Sequence, residues 1–207
     1  WRKSLPALAD DLAAAGLDEV DVLLEFALPL TSQRADVILA GTHPSTGNPS
    51  FVVVELKQWS AAEPFEGDDA LVSVPGLPGP VLHPAKQVDG YRRYLTNYLV
   101  NLHGHEDWVD AVAYLHGAES DDDVSEIVGA AEARVFTGGR REALRAHLRE
   151  RLGGAGSADV LLTSSVRPST KLMQIAADEV RDREKFILLG NQQLAVDMIR
   201  HEVERAG

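Results

Sequence analysis

The 207 residues carry 32 Asp and Glu against 20 Lys and Arg, a formal net charge of −12, with 44% hydrophobic and 25% charged residues. Those proportions describe a globular chain with one sizeable core, and the acidic balance argues against a general electrostatic grip on nucleic acid. There is no cysteine, which excludes disulfides and thiolate-ligated metals, no apolar run long enough for a membrane span, and no signal-peptide core in WRKSLPALADD, so a cytoplasmic protein without a membrane partner is expected.

Residues 4–16 have helical apolar spacing, with Ser4 as the expected N-cap, Pro6 in the first turn and Gly16 as a stop. VDVLLEFALPL (20–30) reads as a strand in which Val22, Leu24, Phe26 and Leu28 share one parity and Glu25 faces the other way with Leu23 and Ala27. RADVILAG (34–41) is a second strand, THPSTGNPS (42–50) a hairpin loop and FVVVELKQW a third strand, together a meander. Residues 61–82 predict a long functional or mobile loop, with LVSV and PVL forming a small hairpin around PGLPG. A long helix over 83–104 follows, then strands at 108–117 and 133–139 and an amphipathic helix over 139–152 with Leu144, Leu148 and Leu152 on one face. Further helices are expected at about 157–164, 169–184 and 191–206. This order predicts an α/β domain with a central mixed sheet flanked by helices and a helical C-terminal part.

FVVVELKQWS poses the chemical question. Glu55 and Lys57 lie two apart on a strand and so on one face, about 7 Å apart, where the preceding residues read as buried. Charge at such a position is costly unless paired or bound to metal. Either the strand leaves the core here as a surface ion pair, or the charges belong to a site. In a hairpin centred near residue 46, Asp36 pairs with about position 56 and so lies beside Glu55 and Lys57. Two carboxylates and an ammonium converging this way suit Mg2+ or Mn2+, which bind one or two carboxylates plus substrate phosphate. Such a cation activates water and neutralises phosphodiester charge, while the lysine orients the water or stabilises the transition state.

An acidic residue, a hairpin loop and E-x-K at a strand end resemble the PD-(D/E)XK nuclease superfamily, here Ala35-Asp36 and Glu55-Leu56-Lys57 without the proline before the aspartate. Gln87-Val88-Asp89-Gly90-Tyr91 is similar to the Q-x-x-x-Y motif of RecB-like nucleases, and its two ends share a helix face. The resemblance implies a restriction-endonuclease-like core and metal-dependent hydrolysis of nucleic acid, DNA ahead of RNA. It implies Asp36 and Glu55 as metal ligands with help from the Leu56 carbonyl, Lys57 as the residue assisting the attacking water, and Gln87 in support. Glu25 would supply a further carboxylate; Tyr91, Arg92 and Arg93 would face the nucleic acid. The alternative is a catalytically weak or inactive copy of this fold that docks nucleic acid or a partner.

EFALPLTSQRADVILAG, VVVELKQWS, HPAKQVDGYRRYL and FILLGNQQLAVDMI are also similar to the N-terminal part of bacterial proteins joining a nuclease-like domain to a Schlafen-group-like superfamily 1 helicase. That likeness implies a nuclease-like domain over 1–155 and a helical segment over 156–207 leading toward an ATPase partner domain. Leu188, Gly190, Asn191, Gln192 and Gln193 would form the base-contacting segment, with one of the glutamines reading adenine. No G-x-x-x-x-G-K-[ST] occurs in the 207 residues, so the chain is expected to be a fragment that stops short of the motor. His83 admits two roles, approaching a phosphate or capping its helix. Arg140, Arg141, Arg145, Arg149 and Arg151 form either a solvated face paired with Glu142 and Glu150 or a nucleic-acid track.

Overall fold

The computed structural model describes residues 1–124, 127, 134–154 and 156–181. The chain divides into two compact units, Trp1–Ser169 and Thr170–Gly207. Within the first unit, in order, lie α1 (Ser4–Ala14), β1 (Asp21–Ala27), β2 (Arg34–Thr42), β3 (Pro49–Lys57), the short strands β4 (Glu63–Pro64), β5 (Leu71–Ser73) and β6 (Val81–Leu82), α2 (Pro84–Tyr98), β7 (Val109–Leu115), β8 (Arg134–Thr137), α3 (Arg141–Arg151) and α4 (Asp159–Leu162). The described part of the second unit is α5 (Thr170–Arg181).

Five strands form one mixed sheet in the order β1-β2-β3-β7-β8. The first three are an antiparallel meander, and α2 carries the chain over to β7, which runs parallel to β3 and to β8. Both faces of the sheet are covered, so its central strands read as nearly continuous apolar runs. On one face Ile38, Ala40, Phe51 and Val53 pack with Val88 and Leu95 of α2 and with Leu161 of α4. On the other, Val37, Leu39, Val52 and Val54 pack with Leu8 and Leu12 of α1 and Leu144 and Leu148 of α3. Strand parity thus assigns Asp36, Glu55 and Lys57 to the α2 face.

The structure departs from the sequence reading at several points. Ser4 is the first helical residue rather than the cap, which falls on Lys3 without a side-chain hydrogen bond. In β1 the alternation breaks at Glu25, whose φ of 51° lies in the left-handed region. Leu23 and Phe26, expected on opposite faces, therefore both pack toward the α2-side core, while Val22 and Leu24 are exposed. Within 61–82 the expected small hairpin forms, β5 pairing antiparallel with β6, and β4 joins it, so the segment is a three-stranded sheet anchored by the fully buried Val72 rather than a long loop. The long helix ends at Tyr98 and is followed by a short 3-10 turn over Val100–Leu102. Residues 156–169 belong to the first unit: the Ser157 hydroxyl donates to the Gly41 carbonyl at 2.6 Å and the Ala158 N–H to Asp21 at 3.0 Å. The expected boundary at 155/156 thus falls inside a packed unit. The expected helix at 191–206 and the Leu188–Gln193 segment lie outside the described residues.

Candidate functional site

The β2–β3 pairing runs from Thr42↔Pro49 to Val37↔Val54. Continued by one step, that register sets Asp36 opposite Glu55, one position earlier than a hairpin centred on residue 46 predicts. The paired ladder stops there, and the Leu56 N–H donates instead to the Asp36 carboxylate at 2.9 Å. A backbone donor that the neighbouring strand would otherwise satisfy thus fixes the acidic side chain at the end of the hairpin.

Glu55 is almost wholly buried, at 2% exposure. One of its oxygens accepts from the Lys57 ammonium at 2.6 Å, and Oε2 has no hydrogen-bond partner. Burial raises its pKa from 4.5 to about 7 against the opposing pull of Lys57, and the nearby Asp36 charge adds to the rise. Lys57 also donates to Gln87 Oε1 at 3.2 Å, and Gln87 Nε2 donates to the Tyr91 hydroxyl at 2.8 Å. Because α2 places residues 87 and 91 one turn apart, a single helix face continues the chain Glu55–Lys57–Gln87–Tyr91. Burial raises the Tyr91 phenol above its ordinary value, so it stays protonated. The Lys57 ammonium lies 5.3 Å from the centre of the Trp59 ring, within cation–π range.

Asp36, Glu55, Leu56 and Lys57 open onto a cleft of about 200 Å³ that Trp1 and Ser4 also line. Trp1, which precedes α1, and Ser4, its first residue, carry no motif, so sequence reasoning missed them as site residues. The cleft sits at the carboxyl ends of the parallel strands β3 and β7, the usual place for ligands in such sheets. Gly117, just past β7, lets the backbone close against the segment that follows Lys57: a Cβ there would lie 2.7 Å from the Gln58 carbonyl oxygen.

The remaining candidates fall elsewhere. Glu25 is exposed and is not among the cleft-lining residues. Arg92 and Arg93 both pair with the buried Asp89, each at 2.7 Å. His83 is a helix cap: its Nδ1 accepts from the Ala85 N–H at 3.1 Å, and its Nε2 lies 3.0 Å from the Ile127 carbonyl oxygen. The arginines of and beside α3 are paired, Arg141 and Arg145 with Asp11, Arg149 with Glu142, Arg140 with Asp121 and Arg151 with Asp110. Of the expected partners Glu142 is used, and the buried Asp11, 130 residues from Arg141, is the one the sequence hid.

Among the described residues no group of three or more His, Asp or Glu is arranged to hold a metal ion, and no helix is long and apolar enough to cross a membrane. Fold and site together define an α/β protein with a mixed five-stranded sheet whose carboxyl edge holds a cleft with two carboxylates and an ammonium, the ammonium held from behind by the Gln87 amide. No family model, curated protein or solved structure matches the chain.

Proposed function

We propose that this chain is a divalent-metal-dependent nuclease domain of the PD-(D/E)XK type, hydrolysing phosphodiester bonds of nucleic acid, DNA ahead of RNA, within a larger nuclease–helicase protein. The observation that carries this reading is the buried, unpartnered Glu55 Oε2 beside Asp36 in a cleft that also holds Lys57. The strand order supports a restriction-endonuclease-like core: an antiparallel meander, a crossover helix, then parallel strands. Asp36 and Glu55, with the Leu56 carbonyl, would hold Mg2+ or Mn2+, and a two-carboxylate set completed by water and substrate oxygens suits either ion. When bound, the cation neutralises charge on the phosphodiester and makes water more acidic. Lys57, held between Glu55 and Gln87, is placed to donate to the attacking water or a phosphoryl oxygen. Gln87 keeps the ammonium in place, and Tyr91 fixes the orientation of the Gln87 amide.

The test is incubation with single- and double-stranded DNA and RNA in the presence of Mn2+ or Mg2+. The wild type cleaves at least one of them, chelation stops it, and Lys57→Ala lowers the rate by on the order of a hundredfold or more. If wild type and Lys57→Ala leave every substrate equally intact, the catalytic reading is wrong. Calorimetric titration with Mn2+ then decides whether the cleft binds a cation at all.

A further inference from the structure

The acidic wall of the cleft faces a second wall made by the start of α1. Ser4 lines the cleft yet is only 7% exposed, and its hydroxyl oxygen lies 2.8 Å from His116 Nε2. His116 follows directly on Leu115, the β7 residue paired with Lys57, so the pair ties α1 to the strand beside the acidic one. A serine at the start of a helix ordinarily caps it. Here α1 has no side-chain cap, and the Ser4 hydroxyl is committed to His116 instead. Burial holds the imidazole below its ordinary value, so the ring is neutral at neutral pH. With Nε2–H donating to the serine oxygen, the serine proton is left for an acceptor in the cleft.

The two walls call for a ligand of mixed charge. On one side stands a buried carboxylate oxygen without a partner, which asks for a cation. On the other stands the Ser4 hydroxyl, a donor that suits an anionic oxygen. A phosphate diester accompanied by a divalent cation satisfies both. We propose that Ser4, oriented by His116, binds the substrate directly, its hydroxyl donating to a non-bridging oxygen of the phosphodiester beside Asp36 and Glu55. This rests on the nuclease reading and adds to it a substrate contact that neither E-x-K nor Q-x-x-x-Y contains.

The experiment measures two quantities. Anisotropy of a labelled oligothymidylate reports binding in a Lys57→Ala background, where cutting is suppressed, and steady-state cleavage reports KM and kcat in the otherwise wild-type chain. Ser4→Ala weakens oligonucleotide binding and raises KM by about tenfold with little change in kcat, the loss of one hydrogen bond to a charged group. Ser4→Thr retains binding, and His116→Gln, which keeps a donor beside the serine, stays closer to wild type than His116→Ala. A purely structural role would instead lower the thermal midpoint and kcat with KM unmoved, and that result overturns the proposal. So does unchanged binding in Ser4→Ala, even if the wild type proves a nuclease. If the wild type binds but does not cut, the nuclease reading fails while the anisotropy arm still decides the Ser4 contact. If it neither binds nor cuts, both are wrong.

Discussion

Asp11 and Glu55 are both buried carboxylates, at 0% and 2% exposure, and the chain treats them in opposite ways. Asp11 is satisfied from every side. Its Oδ1 accepts from Arg141 at 2.9 Å and from Arg145 at 2.8 Å, and its Oδ2 from the Tyr114 hydroxyl at 2.8 Å. Burial and that neighbouring charge push the Tyr114 phenol well above its ordinary range, so it remains a donor. Glu55 has one ammonium for one oxygen and nothing for the other. A buried charge matched by its own chain fastens elements together, here α1 to α3 and β7. One left half-matched keeps binding capacity for something from outside.

Removing the satisfied carboxylate is expected to have the largest effect on stability. Asp11→Ala leaves the buried Tyr114 hydroxyl and two partly exposed guanidinium groups without their acceptor and should cost about 3 kcal/mol in denaturant unfolding. A loss under about 1 kcal/mol would break the comparison, because Asp11 would then be no more than a surface ion pair.

Glu55 should behave in the reverse sense. Between pH 4.5 and about 7 the folded chain keeps a Glu55 proton that the unfolded chain has already released. Stability contributed by the protonated form is therefore present at low pH and lost as pH rises through 7, by on the order of 3 kcal/mol. Glu55→Gln, which imitates the protonated form, should match wild type near pH 5 and exceed it near pH 8, while losing cleavage. Metal-free unfolding curves at both pH values check this, and an equal wild-type advantage at both would show that Lys57 already compensates Glu55 in full.

The smallest effect belongs to the helix-surface pair. Arg93→Ala removes one of two guanidinium partners from Asp89, and the Arg93 side chain is 57% exposed. Unfolding should register a loss below about 1 kcal/mol. A larger loss would move Asp89 into the class of Asp11.

The sequence by itself determined the central strands, the hairpin that joins β2 to β3, and the shared face of Asp36, Glu55 and Lys57. Those follow from period-two alternation and turn chemistry, which act over a few residues. The one-turn spacing of Gln87 and Tyr91 was legible for the same reason. Even there the register was set one position out, since the loop composition does not specify where the turn is centred. Only the tertiary structure decided the rest. The left-handed Glu25 reverses the faces of β1, which no alternation pattern anticipates. Ser4, read as a cap, is drawn to His116, 112 residues away, and Asp11 collects arginines from beyond residue 140. Such pairings arise only once the layers have packed, because removal from water makes each buried polar group take whatever partner the fold brings within reach. The charges of FVVVELKQWS announced that something stood at that strand end; packing alone determined that one oxygen of Glu55 was left without a partner.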